Sequence, residues 1–269
     1  MKTPKEIFPN PLSFTSIPIT MYFDETQQKL ASATGFIYER NEKLYLITNW
    51  HNVTGKNPIT KEQISNHGGI PDVVVLTLLT KKHPKIEWEN FSINLYDNEN
   101  KAEWLVHPIH KESVDVIALE IEFDVNFNGV FKPINKIQFD NFKVEVSDDV
   151  YILGFPYELN GGGYFPIWKR ASVASEPDID YDRLPKIFVD TASRSGMSGS
   201  PVIYRRTGVH GTENGKLTDR TTIGTIQGFV GVYSGRIGKS ELDAQLGIVW
   251  KSEVIDEIID GNIRDNRVL

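Results

Sequence analysis

The chain has 269 residues and no cysteine, which excludes a disulfide framework, a cysteine nucleophile and a thiolate metal site. Any covalent catalysis must therefore use an oxygen or a nitrogen nucleophile. The formal net charge is −7, and lysine and arginine form no cluster that would follow a phosphate backbone, so we expect no nucleic-acid partner.

The N-terminal twenty residues are interrupted by Pro4, Pro9 and Pro11 and lack the apolar core of a secretory signal. No apolar run in the chain approaches the roughly 20 residues that span a bilayer. These features predict a cytoplasmic protein that has no membrane partner.

Short runs rich in valine, isoleucine, threonine and aromatic residues alternate with turn residues along most of the chain. They cover 16–23, 33–39, 43–49, 72–80, 114–122, 149–155, 186–192, 201–205, 221–234 and 245–250. This pattern predicts an all-β protein of sandwich or barrel type.

The last segment has helical periodicity instead. Within 251–261, the apolar residues Val254, Ile255, Ile258 and Ile259 fall on one stripe, which predicts a C-terminal helix. The irregular stretch 123–147, near the midpoint, is typical of a linker between two β subdomains. We expect an N-terminal β-barrel at 1–125, a linker at 126–148, a C-terminal β-barrel at 149–250, and the helix and tail at 251–269.

Residues 193–203, SRSGMSGSPVI, place small residues and a proline around Ser198. A serine hydroxyl is a weak nucleophile until a base removes its proton, and the oxyanion it creates needs donors already in place. Gly196 can adopt backbone conformations closed to other residues, which would turn its N–H toward the same point as the N–H of Ser198. Taken alone, the stretch also fits an ordinary turn. A nucleophile elbow would need a helix after it, whereas a β-rich run follows.

A base and an acid for this serine occur earlier in the chain. His51 directly follows an apolar strand, at a turn that ends at Gly55. Asp115 opens another strand, where it shares a face with Ile117 and would need a hydrogen-bonding partner, which His51 supplies. An outward-facing turn carboxylate is the other interpretation of Asp115. The order His51, Asp115, Ser198 is that of the chymotrypsin arrangement.

The chain resembles the trypsin-like serine peptidases of the chymotrypsin fold, in particular their disulfide-free bacterial branch, which includes Deg-type proteases and glutamyl endopeptidases. The resemblance covers roughly residues 30–260 and rests on TGFIYERNEKLYLITNWHNV, VDVIALEI, YILGFP followed by WKRASVAS, VDTASRSGMSGSPV, GFVGVYSG and LGIVWKSEVIDEII. It implies two six-stranded antiparallel β-barrels with a C-terminal α-helix, and peptide-bond hydrolysis through an acyl-enzyme intermediate.

Carried over to this chain, the resemblance makes Ser198 the nucleophile and His51 the general base and then the general acid. Asp115 would hold the imidazole tautomer and stabilise its cation. The backbone N–H groups of Gly196 and Ser198 would form the oxyanion hole.

The resemblance also implies which residues contact the substrate. Those expected to pair with a bound peptide as an added β-strand are Tyr233, Ser234 and Gly235. Ala192 and Ser193 would lie near the base of the primary pocket, where the absence of a carboxylate disfavours lysine and arginine. We expect a small or medium apolar substrate side chain there. Arg236, with Ser193 as a hydroxyl donor, makes an acidic preference the alternative.

No cofactor or metal is expected. Residues 107–110, HPIH, place two histidines three apart, but Pro108 argues against a helix and no H-E-x-x-H motif occurs. The expected partner is a protein or peptide substrate. Because an uncontrolled cytosolic protease would be harmful, we also expect either narrow specificity or a regulatory partner protein. The alternative function is a dormant or non-catalytic peptide-binding module on the same fold, activated by a partner.

Overall fold

The computed structural model describes residues 9–23, 28–64, 69–82, 85–124, 127–141, 143–192, 195–236, 245–267 and 269. In the first half of the chain the strands are β1 Ser16–Phe23, β2 Gln28–Arg40, β3 Lys43–Thr48, β4 Val73–Lys82, β5 Lys85–Asn94, β6 Leu105–Val106 and β7 Ile117–Ile121. In the second half they are β8 Asp149–Gly154, β9 Ile167–Val173, β10 Lys186–Asp190, β11 Pro201–His210, β12 Thr222–Arg236, β13 Leu246–Lys251 and β14 Ile263–Arg264. The helices are α1 Trp50–Thr54 and α2 Glu253–Gly261, with 3₁₀ turns at Pro11–Phe14, Ile134–Lys136 and Pro156–Glu158.

The strands form two antiparallel sheets. One is a closed six-stranded barrel in the order β10-β13-β12-β11-β8-β9. The other holds eight strands in the order β14-β6-β7-β3-β2-β1-β4-β5. The predicted all-β class with a C-terminal helix is confirmed.

The first sheet holds eight strands instead of the predicted six, and three of them, β5, β6 and β14, lie outside the predicted runs. β6 and β14 have two residues each, too few to show any alternation. β5, Lys85–Asn94, pairs along the edge of the sheet, and its Phe91 and Ile93 pack against the hydrophobic core. Its apolar residues alternate with polar ones over most of its length, so this strand could have been predicted from the sequence. In the second sheet, β9 likewise lay outside the predicted runs, and five of its seven residues are half-buried or exposed.

The two sheets pack against each other over a shared hydrophobic core. Phe36 and Ile47 contribute from the eight-stranded sheet, and Ile203 and Trp250 from the barrel. The apolar stripe of α2, Val254, Ile255, Ile258 and Ile259, is buried in the same core. The helix therefore closes the junction between the sheets, as its periodicity indicates. Among the described residues, no helix has the length and apolar character needed to cross a bilayer.

Candidate active site

His51 lies in the first turn of α1, directly after β3. The helix has five residues and is capped at its C-terminus by Gly55, whose φ of 66° is in the left-handed region that glycine adopts without strain. The Gly55 N–H donates to His51 O at 3.0 Å. This tight turn fixes the backbone of His51 while its side chain stays partly exposed.

Asp115, two residues before β7, contacts the His51 imidazole through its carboxylate. Its carboxylate is 2% exposed and accepts the backbone N–H of His51 at 2.9 Å and His51 Nδ1 at 2.6 Å. The hydroxyl of Ser234 in β12 donates to the same carboxylate. Asn49 Nδ2 donates to Asp115 O at 2.6 Å and fixes the backbone of that residue. Because an ionised carboxylate only accepts hydrogen bonds, Nδ1 carries the proton and Nε2 keeps a free lone pair.

Ser198 lies in the turn between β10 and β11. Gly196 and Gly199, on either side of it, have φ values of 93° and 83°. A Cβ would lie 2.3 Å from Phe155 O at Gly196 and 2.0 Å from Thr34 O at Gly199, so neither position has room for a side chain. The two glycines therefore allow the Ser198 turn to pack directly against neighbouring backbone.

The Ser198 turn is hydrogen-bonded to the eight-stranded sheet through Thr34 of β2. Thr34 N–H donates to Ser198 O at 2.9 Å, and its hydroxyl donates to Gly196 O at 2.8 Å. Phe155 N–H donates to the same hydroxyl at 3.2 Å. Thr34 thus joins the serine turn to the sheet that positions His51 and Asp115.

The serine turn contains two backbone donors close to the hydroxyl, the N–H groups of Gly196 and Ser198. Among the described residues, neither the Gly196 N–H nor the Ser198 N–H donates to a protein acceptor. Gly199 N–H, by contrast, donates to Tyr233 O at 2.8 Å. Two unpaired N–H groups beside a hydroxyl are a donor set that can stabilise an oxyanion.

His51, Asp115, Ser198, Ser234 and Gly235 line one groove of about 650 Å³. An added Cβ at Gly235 would lie 3.6 Å from Ser198 Oγ, so this glycine borders the hydroxyl closely. No hydrogen bond joins Ser198 Oγ to His51 Nε2 in this structure. Such contacts are often long in free enzymes and tighten when substrate binds.

The residues expected to contact a peptide have different surroundings. The backbone N–H and C=O of Tyr233 are both bonded to the serine turn, at Ser200 O and Gly199 N, so they are not available to a peptide. Ser234 and Gly235 line the groove. Arg236 ends β12 and pairs with Gly247. Ala192 is exposed after β10, and Ser193 lies outside the described residues.

His107 of the HPIH stretch is buried and its Nε2 is bonded to Glu257 of α2 at 2.7 Å. In the part of the chain that the structure describes, no three His, Asp or Glu side chains group together to hold a metal ion.

Sequence reasoning missed three contributors to this arrangement: the hydroxyls of Thr34 and Ser234 and the side chain of Asn49. Asn49 stands two residues before His51, and Ser234 lies in a stretch already singled out for substrate contact, so both could have been suspected. Thr34 is one threonine in a long strand, and nothing local distinguishes it from a residue that only packs.

Comparison with known proteins gives a family for this arrangement. The solved structure of the Rv3671c protease from M. tuberculosis, active form, is similar at 17% identity and a TM-score of 0.46, covering 96% of this chain and 84% of that one. The protease Anisep from Arthrobacter nicotinovorans is similar at 12% identity and a TM-score of 0.49, covering 91% of this chain and 93% of that one. A search of the curated proteins finds no match.

The family model described as a trypsin-like peptidase domain matches residues 33–211, more than half of the chain. His51, Asp115 and Ser198 all lie within the matched range. The chain therefore belongs to the trypsin-like peptidase domain family, and it is a trypsin-like serine protease whose substrates are proteins or peptides.

Proposed function

We propose that this protein is a serine endopeptidase in which Ser198, His51 and Asp115 form the catalytic triad and an acyl-enzyme is the intermediate. The observation that supports it most is the buried Asp115 carboxylate, which accepts His51 Nδ1 at 2.6 Å in the groove that also contains Ser198. This contact leaves Nε2 as the free base of the imidazole.

The chemistry follows from these groups. Ser198 Oγ attacks the peptide carbonyl carbon while His51 Nε2 takes the hydroxyl proton, and the N–H groups of Gly196 and Ser198 donate to the oxyanion. The imidazolium, stabilised by Asp115, then gives its proton to the leaving amine as the C–N bond breaks. Water hydrolyses the resulting ester by the same steps in reverse order, which restores the free Ser198 hydroxyl.

The peptide would bind along Ser234, Gly235 and the backbone of Arg236, as an added strand on β12. Ala192 and Ser193 supply no carboxylate for the primary pocket, which supports a small or medium apolar side chain at the residue before the scissile bond. An acidic preference involving Arg236 and Ser193 is the alternative. A peptide-library cleavage profile distinguishes the two preferences.

A dormant peptide-binding module on the same fold is the second candidate. The observation that favours it is the lack of a hydrogen bond between Ser198 Oγ and His51 Nε2. Under this alternative a partner protein would bring the two groups together. We also propose a cytoplasmic location and control by a partner protein. Efficient digestion of unfolded casein by the isolated protein would count against that control.

Labelling by a serine-reactive phosphonate tests the catalytic proposal. We expect the intact protein to be labelled, and Ser198→Ala to lose both labelling and at least about 10⁴-fold in kcat. Ser195→Ala is the matched control, because Ser195 is exposed in the same turn and, within the described part of the chain, only its backbone oxygen is bonded, to Tyr157 N–H. An intact protein that resists labelling would support the dormant module instead.

A further inference from the structure

Lys186 is an unusually placed cation near the groove. It is the first residue of β10 and lies opposite Trp250 of β13. Its neighbours Ile187 and Val189 point into the barrel core, so by strand alternation Lys186 lies on the outer face of the barrel. The residue is only 8% exposed, and its ammonium is 5.5 Å from the ring centroids of both Tyr181 and Trp250.

The Lys186 ammonium forms no salt bridge in the part of the chain that the structure describes. Other lysines nearby do: Lys61 pairs with Glu112 at 3.0 Å, and Lys251 pairs with Asp180 at 2.6 Å. Burial lowers the pKa of Lys186, and the carboxylate of Asp182 at the groove rim only partly opposes this effect. Aromatic faces stabilise a buried cation less completely than a carboxylate does, so an anion bound beside Lys186 would stabilise the ammonium further.

Lys186 lines the same groove as Ser198 and His51. Trp250 and Ile248, two residues apart on β13, face the groove from the same side of the strand and form an apolar wall of it. Gly235 lies beside Ser198 and has no side chain that would fill this part of the groove. The Trp250 indole N–H is buried and has no acceptor among the described residues.

We propose that Lys186 is a specificity-determining residue that binds an acidic side chain of the peptide substrate near the scissile bond. The inference rests on the proposed endopeptidase function and names the substrate class for that groove. A carboxylate bound there forms a charge-assisted hydrogen bond with the ammonium in a largely desolvated wall, where such bonds are strong. Lys61 does not compete for it, because Glu112 already neutralises that cation.

Matched peptides that carry Glu or Gln at one position, scanned through the residues N-terminal to the scissile bond, test the inference. At one position we expect kcat/KM for Glu to exceed that for Gln by about tenfold or more, the size of a hydrogen bond to a charged group. Lys186→Met should bring this ratio to about 1, and Lys186→Arg should keep most of it. Lys251→Met is the matched control, since Lys251 lies next to Trp250 on β13 but outside the groove.

Three further measurements separate failure of this inference from failure of the proposed function. Phosphonate labelling of Lys186→Met shows that its catalytic centre is intact. Binding of the same Glu and Gln peptides to Ser198→Ala, measured by calorimetry, decides the preference without catalysis. Active cleavage with no Glu preference at any position, or a preference that survives in Lys186→Met, would overturn the role of Lys186 and leave the protease function standing. An unlabelled intact protein would overturn the proposed function, and the binding comparison would still decide the role of Lys186.

Discussion

At the residue scale, the most constrained group of the site is the Asp115 carboxylate. It is buried and accepts hydrogen bonds from the His51 backbone, the His51 imidazole and the Ser234 hydroxyl. Three donors on two oxygens leave the carboxylate little freedom to rotate, so the orientation of the imidazole is set before substrate binds. This preorganisation is what a proton-transferring base requires.

Asp115→Asn tests the orienting role. An amide presents an N–H₂ group where the carboxylate accepted a hydrogen bond from Nδ1, which favours the imidazole tautomer with its proton on the wrong nitrogen. We expect kcat to fall by about 10⁴-fold near neutral pH while the melting temperature changes little. Steady-state kinetics with a fluorogenic peptide measure the first quantity and circular dichroism the second. A decrease in kcat of less than about tenfold would show that another group orients His51.

Lys186→Met gives a prediction for stability against pH. The pKa of Lys186 is lowered in the folded protein, so the unfolded chain binds more protons between that lowered pKa and the ordinary lysine value of about 10.4. The cost of burying the cation is therefore greatest below the lowered pKa and is relieved as pH rises through this interval. We expect the variant to be more stable than the parent at neutral pH, with the gap narrowing toward pH 10 or so. Urea denaturation across this range measures it, and a gap independent of pH would contradict the explanation.

At the scale of elements, the segment after α2 supports the helix that presents His51. Asp265, which follows β14, accepts the indole N–H groups of Trp50 at 2.7 Å and Trp104 at 3.2 Å. Arg267 covers the Trp50 ring, with its guanidinium carbon 4.4 Å from the ring centroid. Trp50 is the first residue of α1 and is fully buried. A segment more than 200 positions away thus fixes the start of the helix beside His51.

Asp265→Ala should destabilise the protein. It leaves two buried indole N–H groups without an acceptor, each costing about 1–3 kcal/mol, so we expect the free energy of unfolding to fall by about 2–6 kcal/mol. Urea denaturation measures the loss. Asn266→Ala is the matched control, because Asn266 is exposed next to Asp265 and its replacement should change stability by about 0.5 kcal/mol or less. Equal effects for the two variants would mean that the indole contacts contribute nothing.

At the scale of the whole molecule, the site depends on how the two sheets meet. His51 and Asp115 belong to the eight-stranded sheet, whereas Ser198, Ser234 and Lys186 belong to the barrel or its turns. The sheets are joined by an apolar core that includes α2, and by the hydrogen bonds of Thr34 to the serine turn. The proposed catalytic groups therefore meet only because the two sheets pack against each other.

Thr34→Val tests this junction, because it keeps the shape of the side chain and removes the hydroxyl. Gly196 O loses a donor and Phe155 N–H loses an acceptor, so we expect the free energy of unfolding to fall by about 2–4 kcal/mol. Labelling of Ser198 should also slow, since the serine turn loses one of its attachments to the opposite sheet. Thr77→Val is the control, because that hydroxyl is bonded on an exposed surface to Asn90. If labelling slows equally in both variants, the Thr34 hydroxyl does not position the turn.

Much of the secondary structure followed from the sequence because strands and helices are encoded by local patterns. The alternating runs predicted most strands, and the stripe of Val254, Ile255, Ile258 and Ile259 predicted α2 and its buried face. The short strands β6 and β14 were missed because two residues cannot show a pattern, whereas β5 has alternating apolar residues and was overlooked. A resemblance carried by motifs also pointed to His51, Asp115 and Ser198 as partners.

By itself, the sequence determined the class of fold, the candidate chemical groups and their order in the chain. Only the tertiary structure decided that Ser234 bonds Asp115, that Thr34 bonds Gly196, and that Asp265 bonds Trp50, across 119, 162 and 215 positions. It also decided that Lys186 is buried beside the groove and, among the described residues, forms no salt bridge. The physical reason is that such contacts depend on how two sheets pack, and no periodicity within either segment records which distant residue will lie opposite.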